Sequence, residues 1–203
     1  MAQHKIWTKM PSWLLYPLGF APGIWLFYQA VNNQLGADPL KALENGLGEW
    51  ALKFLILGLC ITPLMRFFKL NLIKYRRTIG LVAFGYVVAH FTTYLLLDQQ
   101  LRWGEIVTDI IKRPYITIGI ASFLLLFVLA VTSNGFSIRR LGAAGWKKLH
   151  LIVYPAVILA ALHYVMIKKT WAAEPLAYLA IAIALISLRK FYHLAKRGKR
   201  TAA

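Results

Sequence analysis

The sequence predicts an all-α integral membrane protein, a bundle of six transmembrane helices with both termini cytoplasmic. Three observations carry this. Hydrophobic residues make up 59% of the 203 residues and charged residues only 15%, where soluble domains run near about 25% charged. The mean hydropathy is +0.58. Apolar runs long enough for a bilayer, about 20 residues for a core of about 30 Å, recur six times, and the charges between them are segregated. An ordinary soluble domain, a disordered chain and a fibrous one are excluded.

The first run, Ser12–Asn32, is long and has no A-x-A exit, so it reads as an uncleaved span and not a signal peptide. The second, Trp50–Met65, is short and needs tilt or tryptophan anchoring. The third is Thr78–Leu97, the fourth Tyr115–Ser133 and the fifth Leu149–Ile167. The sixth, Pro175–Leu188, is short like the second. None alternates like a barrel strand, and all are too long for one. Trp13, Trp50, Trp103, Tyr115, Trp146 and Trp171 lie near span ends, as interfacial belts require. No internal repeat and no second domain are visible, so residues 1–203 read as one transmembrane domain.

Charge fixes the expected orientation. Lys5 and Lys9, Arg66 to Arg77, Arg139 to Lys148 and Arg189 to Arg200 place seventeen of the 24 cations, and no acid, at the termini and even-numbered loops. All seven acids lie on the other side: Asp38, Glu44, Glu49, Asp98, Glu105, Asp109 and Glu174. The positive-inside rule puts the basic side in the cytoplasm. The net charge of +17 is thereby read as topology determinants and lipid-headgroup contacts, not as a nucleic-acid-binding stripe. The single cysteine, Cys60, sits in an apolar run, which excludes a disulfide framework and thiolate-held iron–sulfur clusters.

Five histidines are present. His4 and His193 fall in polar, basic ends and read as solvated. His90, His150 and His163 fall in spans, where ionisable groups mark function by default. His90 lies about 18 Å along the third helix and His163 about 21 Å along the fifth. Both helices run outward, so the two imidazoles share a depth and suit the two faces of a haem iron. Ala83, Ala156 and Ala160 lie on the same helical faces and leave space for a macrocycle, or for plain helix packing. The alternative is a His–His or His–Tyr hydrogen bond, with Tyr86 and Tyr94 flanking His90. His150 lies about 20 Å below His163 and is rotated by about 220°, so only a kink, for which Pro155 is placed, aligns both. It reads as a second haem ligand or as an interfacial histidine beside Trp146 and Lys147. Arg76 and Arg77 stand where an inner partner for His150 would be. Arginine does not ligate iron but grips a haem propionate or a flavin phosphate; the plain alternative is a positive-inside anchor.

With these residues the chain resembles the ferric-reductase-like transmembrane group, and within it the haem-binding membrane subunits of a bacterial methionine sulfoxide reductase system. The matching stretches are Leu35-Gly-Ala-Asp-Pro39, Ile61-Thr-Pro-Leu64 with Arg66, Arg76-Arg77 with Gly80-Leu81, His90 and Tyr94, Arg113-Pro-Tyr115 with Thr117 and Gly119, and Trp146 with Leu149-His150, Tyr154 and His163. The order and spacing over roughly residues 15–165 carry the resemblance. It implies a b-type cytochrome of the bacterial inner membrane, with one or two haems b and an FMN. Electrons would come from the quinone pool or a cytoplasmic flavin reductase. They would go to a periplasmic molybdopterin reductase that repairs methionine sulfoxide. By position it makes His90 and His163 outer-haem ligands, His150 an inner ligand, and Arg76 and Arg77 residues of the flavin or of the point where electrons arrive. The absence of a G-x-G-x-x-G fingerprint excludes a self-sufficient NAD(P)H oxidase. Rival readings are a quinol-linked cytochrome b subunit of another dehydrogenase, and a small non-haem transporter using its histidines as proton relays.

Overall fold

The computed structural model describes residues 10–168 and 172–201, with side chains to Tyr192. His4, Lys5, Lys9 and Trp171, and the side chains of His193, Lys196, Arg197, Lys199 and Arg200, lie outside the described residues. The described chain is helical throughout, and six of its helical segments are long and apolar enough to cross a membrane. Helix α1 is Leu15–Val31, opened by a 3-10 turn at Ser12–Leu14, and α2 is Pro39–Phe68. Helix α3 is Arg76–Thr92, entered by a 3-10 turn at Ile73–Tyr75 and continued by a π-helical turn at Thr93–Asp98. Helix α4 is Trp103–Lys112 and α5 is Pro114–Val131. Helix α6, Gly135–Leu149, passes through a 3-10 turn at His150–Ile152 into α7, Val153–Ile167; α8 is Ala173–Thr201.

Three elements depart from the pattern expected of the sequence. Helix α2 begins eleven residues before Trp50, because Asp38 caps it through the Lys41 amide at 3.0 Å and Pro39 takes the first position. Pro there costs no hydrogen bond, since that N–H has no intrahelical partner. Thirty residues at 1.5 Å each span about 45 Å, so the first turns, with Lys41, Glu44 and Glu49, extend past the apolar core. The segment between the third and fourth spans is not a plain loop: it holds α4. The basic segment before His150 is also helical. It is broken at Gly142, whose φ of +70° and ψ of 156° belong to a region only glycine adopts cheaply.

The helices pack as two groups sharing α2 and α3. On one side α1 lies against α2 and α3 around Leu43, Leu47, Ala51, Val82 and Tyr86. The Tyr86 hydroxyl enters the backbone ladder of α1, accepting from the Gly23 amide and donating to the Gly19 carbonyl, both at 2.8 Å. A Cβ on Gly23 would stand 2.7 Å from the Tyr86 ring, so the close approach requires glycine. On the other side α2, α3, α5, α7 and α8 meet around Leu52, Leu55, Leu126, Ala156, Val157 and Ala161. Ala83 and Ala156 are wholly buried here, and the Ser122 hydroxyl donates to the Ala156 carbonyl at 2.9 Å, tying α5 to α7. Trp13 and Trp103 are widely exposed, as a belt requires. Trp50 instead packs on Phe54 and Tyr86, and Trp146 stacks on His150.

The antiparallel order of the spans brings the starts of α2, α5 and α8, the end of α3 and all of α4 to one end of the bundle. That end carries the seven acids. The other carries Arg66, Lys69, Lys74, Arg76, Arg77, Arg139, Arg140, Lys147 and Lys148.

Candidate functional site

α3 and α7 run in the same direction, and each carries a histidine toward the acid-bearing end. The His90 and His163 rings lie with centroids 6.2 Å apart and planes at 77°. They border a cavity of ≈ 340 Å³ between α2, α3, α5 and α7. Toward the acid-bearing end its wall is polar, with Lys41, Glu44, Asn45, Tyr94, Asp98 and Arg113; deeper, Leu52, Leu55, Val87, Phe123 and Leu126 make it apolar.

Both imidazoles are held by the same device. His90 Nδ1 bonds the Glu44 carbonyl of α2 at 2.8 Å, and its ring lies over Gly48, one helical turn on. His163 Nδ1 bonds the Tyr115 carbonyl of α5 at 2.7 Å, and its ring lies over Gly119, again one turn on. In a helix the side chain four residues on covers a carbonyl from the side. Glycine there uncovers it and lets the ring reach it. An added Cβ would stand 3.2 Å from His90 Nδ1, or 2.8 Å from His163 Nδ1 and Cε1. A carbonyl oxygen only accepts, so each Nδ1 carries the proton and each Nε2 keeps its lone pair for a metal. Neither ring bonds the other or a tyrosine hydroxyl. Tyr86 is engaged with α1, and the Tyr94 hydroxyl is buried at the cavity without a partner.

Charge around the cavity is largely paired. The buried Glu44 carboxylate takes Lys41 Nζ at 2.7 Å, so this residue holds a lysine by its side chain and a histidine by its backbone. Arg113 pairs with Asp109 at 3.2 Å, and Glu49 with Lys53. Among the described residues no group of three or more His, Cys, Asp or Glu converges as a bare metal site. Two imidazoles alone suit an iron whose other four positions a macrocycle fills. With a metal–nitrogen distance of about 2.0 Å and a ring centroid about 1.1 Å beyond the nitrogen, two imidazoles on opposite sides of one metal would stand about 6.2 Å apart. The observed 6.2 Å matches, and the unpartnered Tyr94 hydroxyl is a polar group that a ligand would satisfy. The residues present fit a haem.

His150 is elsewhere, at the basic end. It lies in the 3-10 turn His150–Ile152, which interrupts the helix before Pro155. Its ring stacks on Trp146 at 3.8 Å and its Nε2 is 3.3 Å from the Thr132 hydroxyl. The Trp146 indole N–H donates to the Thr132 carbonyl at 2.8 Å, closing the group. Arg76 is half-buried and acts electrostatically on His150, whereas Arg77 faces outward. The structure thus brings His90 and His163 together, sets His150 apart at the basic end with Trp146 and Thr132, and leaves Arg77 on the surface. Reading the sequence for side-chain chemistry missed Gly48 and the two carbonyls, and met Gly119 only as part of the family resemblance, with no role given to it. The available signal was a glycine inside a span at the level of each histidine.

A family described as the ferric reductase like transmembrane component matches residues 47–161, from Gly48 through His90 and Gly119 to His150. Proteins named as protein-methionine-sulfoxide reductase heme-binding subunit MsrQ from Brucella ovis, Brucella canis and Brucella suis are each 51% identical to the chain over 177 residues, 87% of this chain and 80% of theirs. No solved structure matches. With more than half its length inside the family match and half of the aligned residues shared with these relatives, the chain belongs to the ferric reductase like transmembrane family and, within it, to the MsrQ family.

Proposed function

We propose that this chain is a b-type cytochrome subunit that conducts electrons across a bacterial inner membrane to a periplasmic molybdopterin methionine sulfoxide reductase, MsrP. The observation that carries the reading is the pair of imidazoles at metal-bridging distance, each with its Nδ1 proton committed to a backbone carbonyl. The name of the Brucella relatives, a heme-binding subunit of a methionine sulfoxide reductase, supports the cofactor and the pathway.

Haem b would supply one-electron redox chemistry, and two histidine ligands would suit it to conduction over oxygen chemistry. His90 and His163 would hold its iron through their Nε2 atoms. The Glu44 and Tyr115 carbonyls fix the tautomer and direction of each ring and raise its basicity, which favours the oxidised iron and lowers the potential. The leucines and phenylalanines of the deep wall exclude water. Lys41, Arg113 and the Tyr94 hydroxyl are donors suited to the carboxylates of a macrocycle. The basic end, with both termini, faces the cytoplasm, and the acid-bearing end faces the periplasm and the partner. Electrons arrive from the quinone pool or a cytoplasmic flavin reductase beside His150, Arg76 and Arg77. There a second haem on His150, or an FMN whose phosphate rests on the arginines, would complete the path. The sulfoxide chemistry belongs to the partner.

The test is a reduced-minus-oxidised spectrum of the purified protein, with haem and flavin measured per chain. We expect a low-spin b-type spectrum. His90→Ala and His163→Ala should each abolish the signal of the haem in this cavity, and His150→Ala should leave it. Wild-type haem content in both of the first two variants would refute the ligand pair.

A further inference from the structure

We propose that α4 lies in the outer lipid interface, with Trp103, Val107 and Ile111 inserted among the acyl chains. The helix is ten residues long and two-faced. Trp103, Val107 and Ile111 follow one another at four-residue intervals and are 64%, 54% and 76% exposed. Among the described residues nothing covers this stripe. The helix cannot roll to bury it, because its other contacts are fixed. Ile106 is 5% exposed against the bundle, the Ile110 carbonyl accepts the Thr117 hydroxyl at 2.6 Å, and Asp109 is paired with Arg113 on the approach to α5.

Three features point to lipid as the occupant. The stripe lies between a span that ends at Asp98 and one that begins at Pro114, so it sits at the level where the bilayer begins. Leu96 and Leu97, exposed on the last turn of the third span, continue into it through the exposed Leu101, extending one lipid-facing surface. Glu105, Thr108 and Lys112 occupy the opposite face, and tryptophan opens the apolar one, the pattern of a helix lying in an interface. The consequence reaches the cavity. Asp109 holds Arg113, a residue of the cavity wall, and two residues later comes the Tyr115 carbonyl that holds His163. Lipid under α4 therefore steadies the mouth of the site.

The test uses the haem-loaded full chain in phosphatidylcholine–phosphatidylglycerol vesicles, with Cys60→Ala as background. Val107→Cys and Ile111→Cys, and separately Glu105→Cys and Lys112→Cys, are labelled with an environment-sensitive fluorophore. Quenching by spin-labelled lipid is compared with quenching by iodide. Positions 107 and 111 should be quenched severalfold more by the lipid than 105 and 112, and iodide should show the reverse order; the pattern among four sites on one helix does not depend on the yield of any one. Equal iodide quenching at all four sites would overturn the proposal. So would lipid-inaccessible 107 and 111 that become shielded only when a periplasmic partner protein is added, which would make the stripe a protein-docking face.

Discussion

Gly119→Ala tests the cradle of His163 with a single methyl group. The added Cβ would lie 2.8 Å from both Nδ1 and Cε1 of the ring, well inside ordinary van der Waals contact at about 3.5 Å. The ring would have to retreat by roughly the difference, about 0.7 Å. Its Nδ1 is already at 2.7 Å from the Tyr115 carbonyl, so it would retreat at the expense of that bond and of its direction toward the cavity. Loss of such an orienting partner typically weakens metal binding 10–100-fold, or about 1.4–2.7 kcal/mol. Gly48→Ala meets His90 at 3.2 Å and should show a milder loss in the same direction. Gly80→Ala meets nothing within 4 Å and is the control; in a helix interior it should be neutral or stabilise by up to about 1 kcal/mol. The assay is haem per chain and the rate of haem transfer to apomyoglobin for the three purified variants. If Gly119→Ala keeps wild-type haem content, spectrum and transfer rate, the carbonyl-and-glycine cradle does not position the ligand.

Three further outcomes follow from the packing. Tyr86→Phe removes the hydroxyl that bridges the Gly23 amide and the Gly19 carbonyl and ties α3 to α1; it should cost about 1 kcal/mol, read as a lower unfolding temperature in detergent with the haem spectrum unchanged. Gly142→Ala forces a side chain onto a backbone of positive φ and should destabilise the basic-end segment by about 1–3 kcal/mol, visible as faster amide exchange confined to α6. Arg76→Ala should slow reduction from the basic side severalfold, whereas Arg77→Ala should change it little because that side chain faces outward; equal rates in both variants would remove the role assigned to Arg76.

The fold was largely legible in the sequence because a span is a property of composition over about 20 residues, and composition needs no partner. Where charge and apolarity are mixed, that signal fails. The first turns of α2 are hidden by Lys41, Glu44 and Glu49, and α4 is hidden because only half of its circumference is apolar. The histidine pair was legible as two equal depths on parallel helices. Its cradle was not, since it depends on which carbonyl of α2 or α5 faces which ring. That is decided by helix pairing and leaves only an unremarkable glycine in the sequence. For His150 the rotation of about 220° from His163 already said that a straight helix would not align the two; the 3-10 turn at His150–Ile152 was hidden, since Pro155 marks a break without saying on which side it falls.

The angle of 77° between the His90 and His163 planes has an electronic consequence. Each plane is fixed by its own carbonyl, so the angle belongs to the helix packing and not to the iron. Were a haem iron held between the two Nε2 atoms, imidazoles set nearly at right angles would act on different members of its dπ pair, so that neither member would be raised above the other. The paramagnetic resonance of the ferric protein would then show one very large g value in place of a rhombic set. The packing of α2 on α3 and of α5 on α7 would thus be written into a spectroscopic property through two backbone carbonyls.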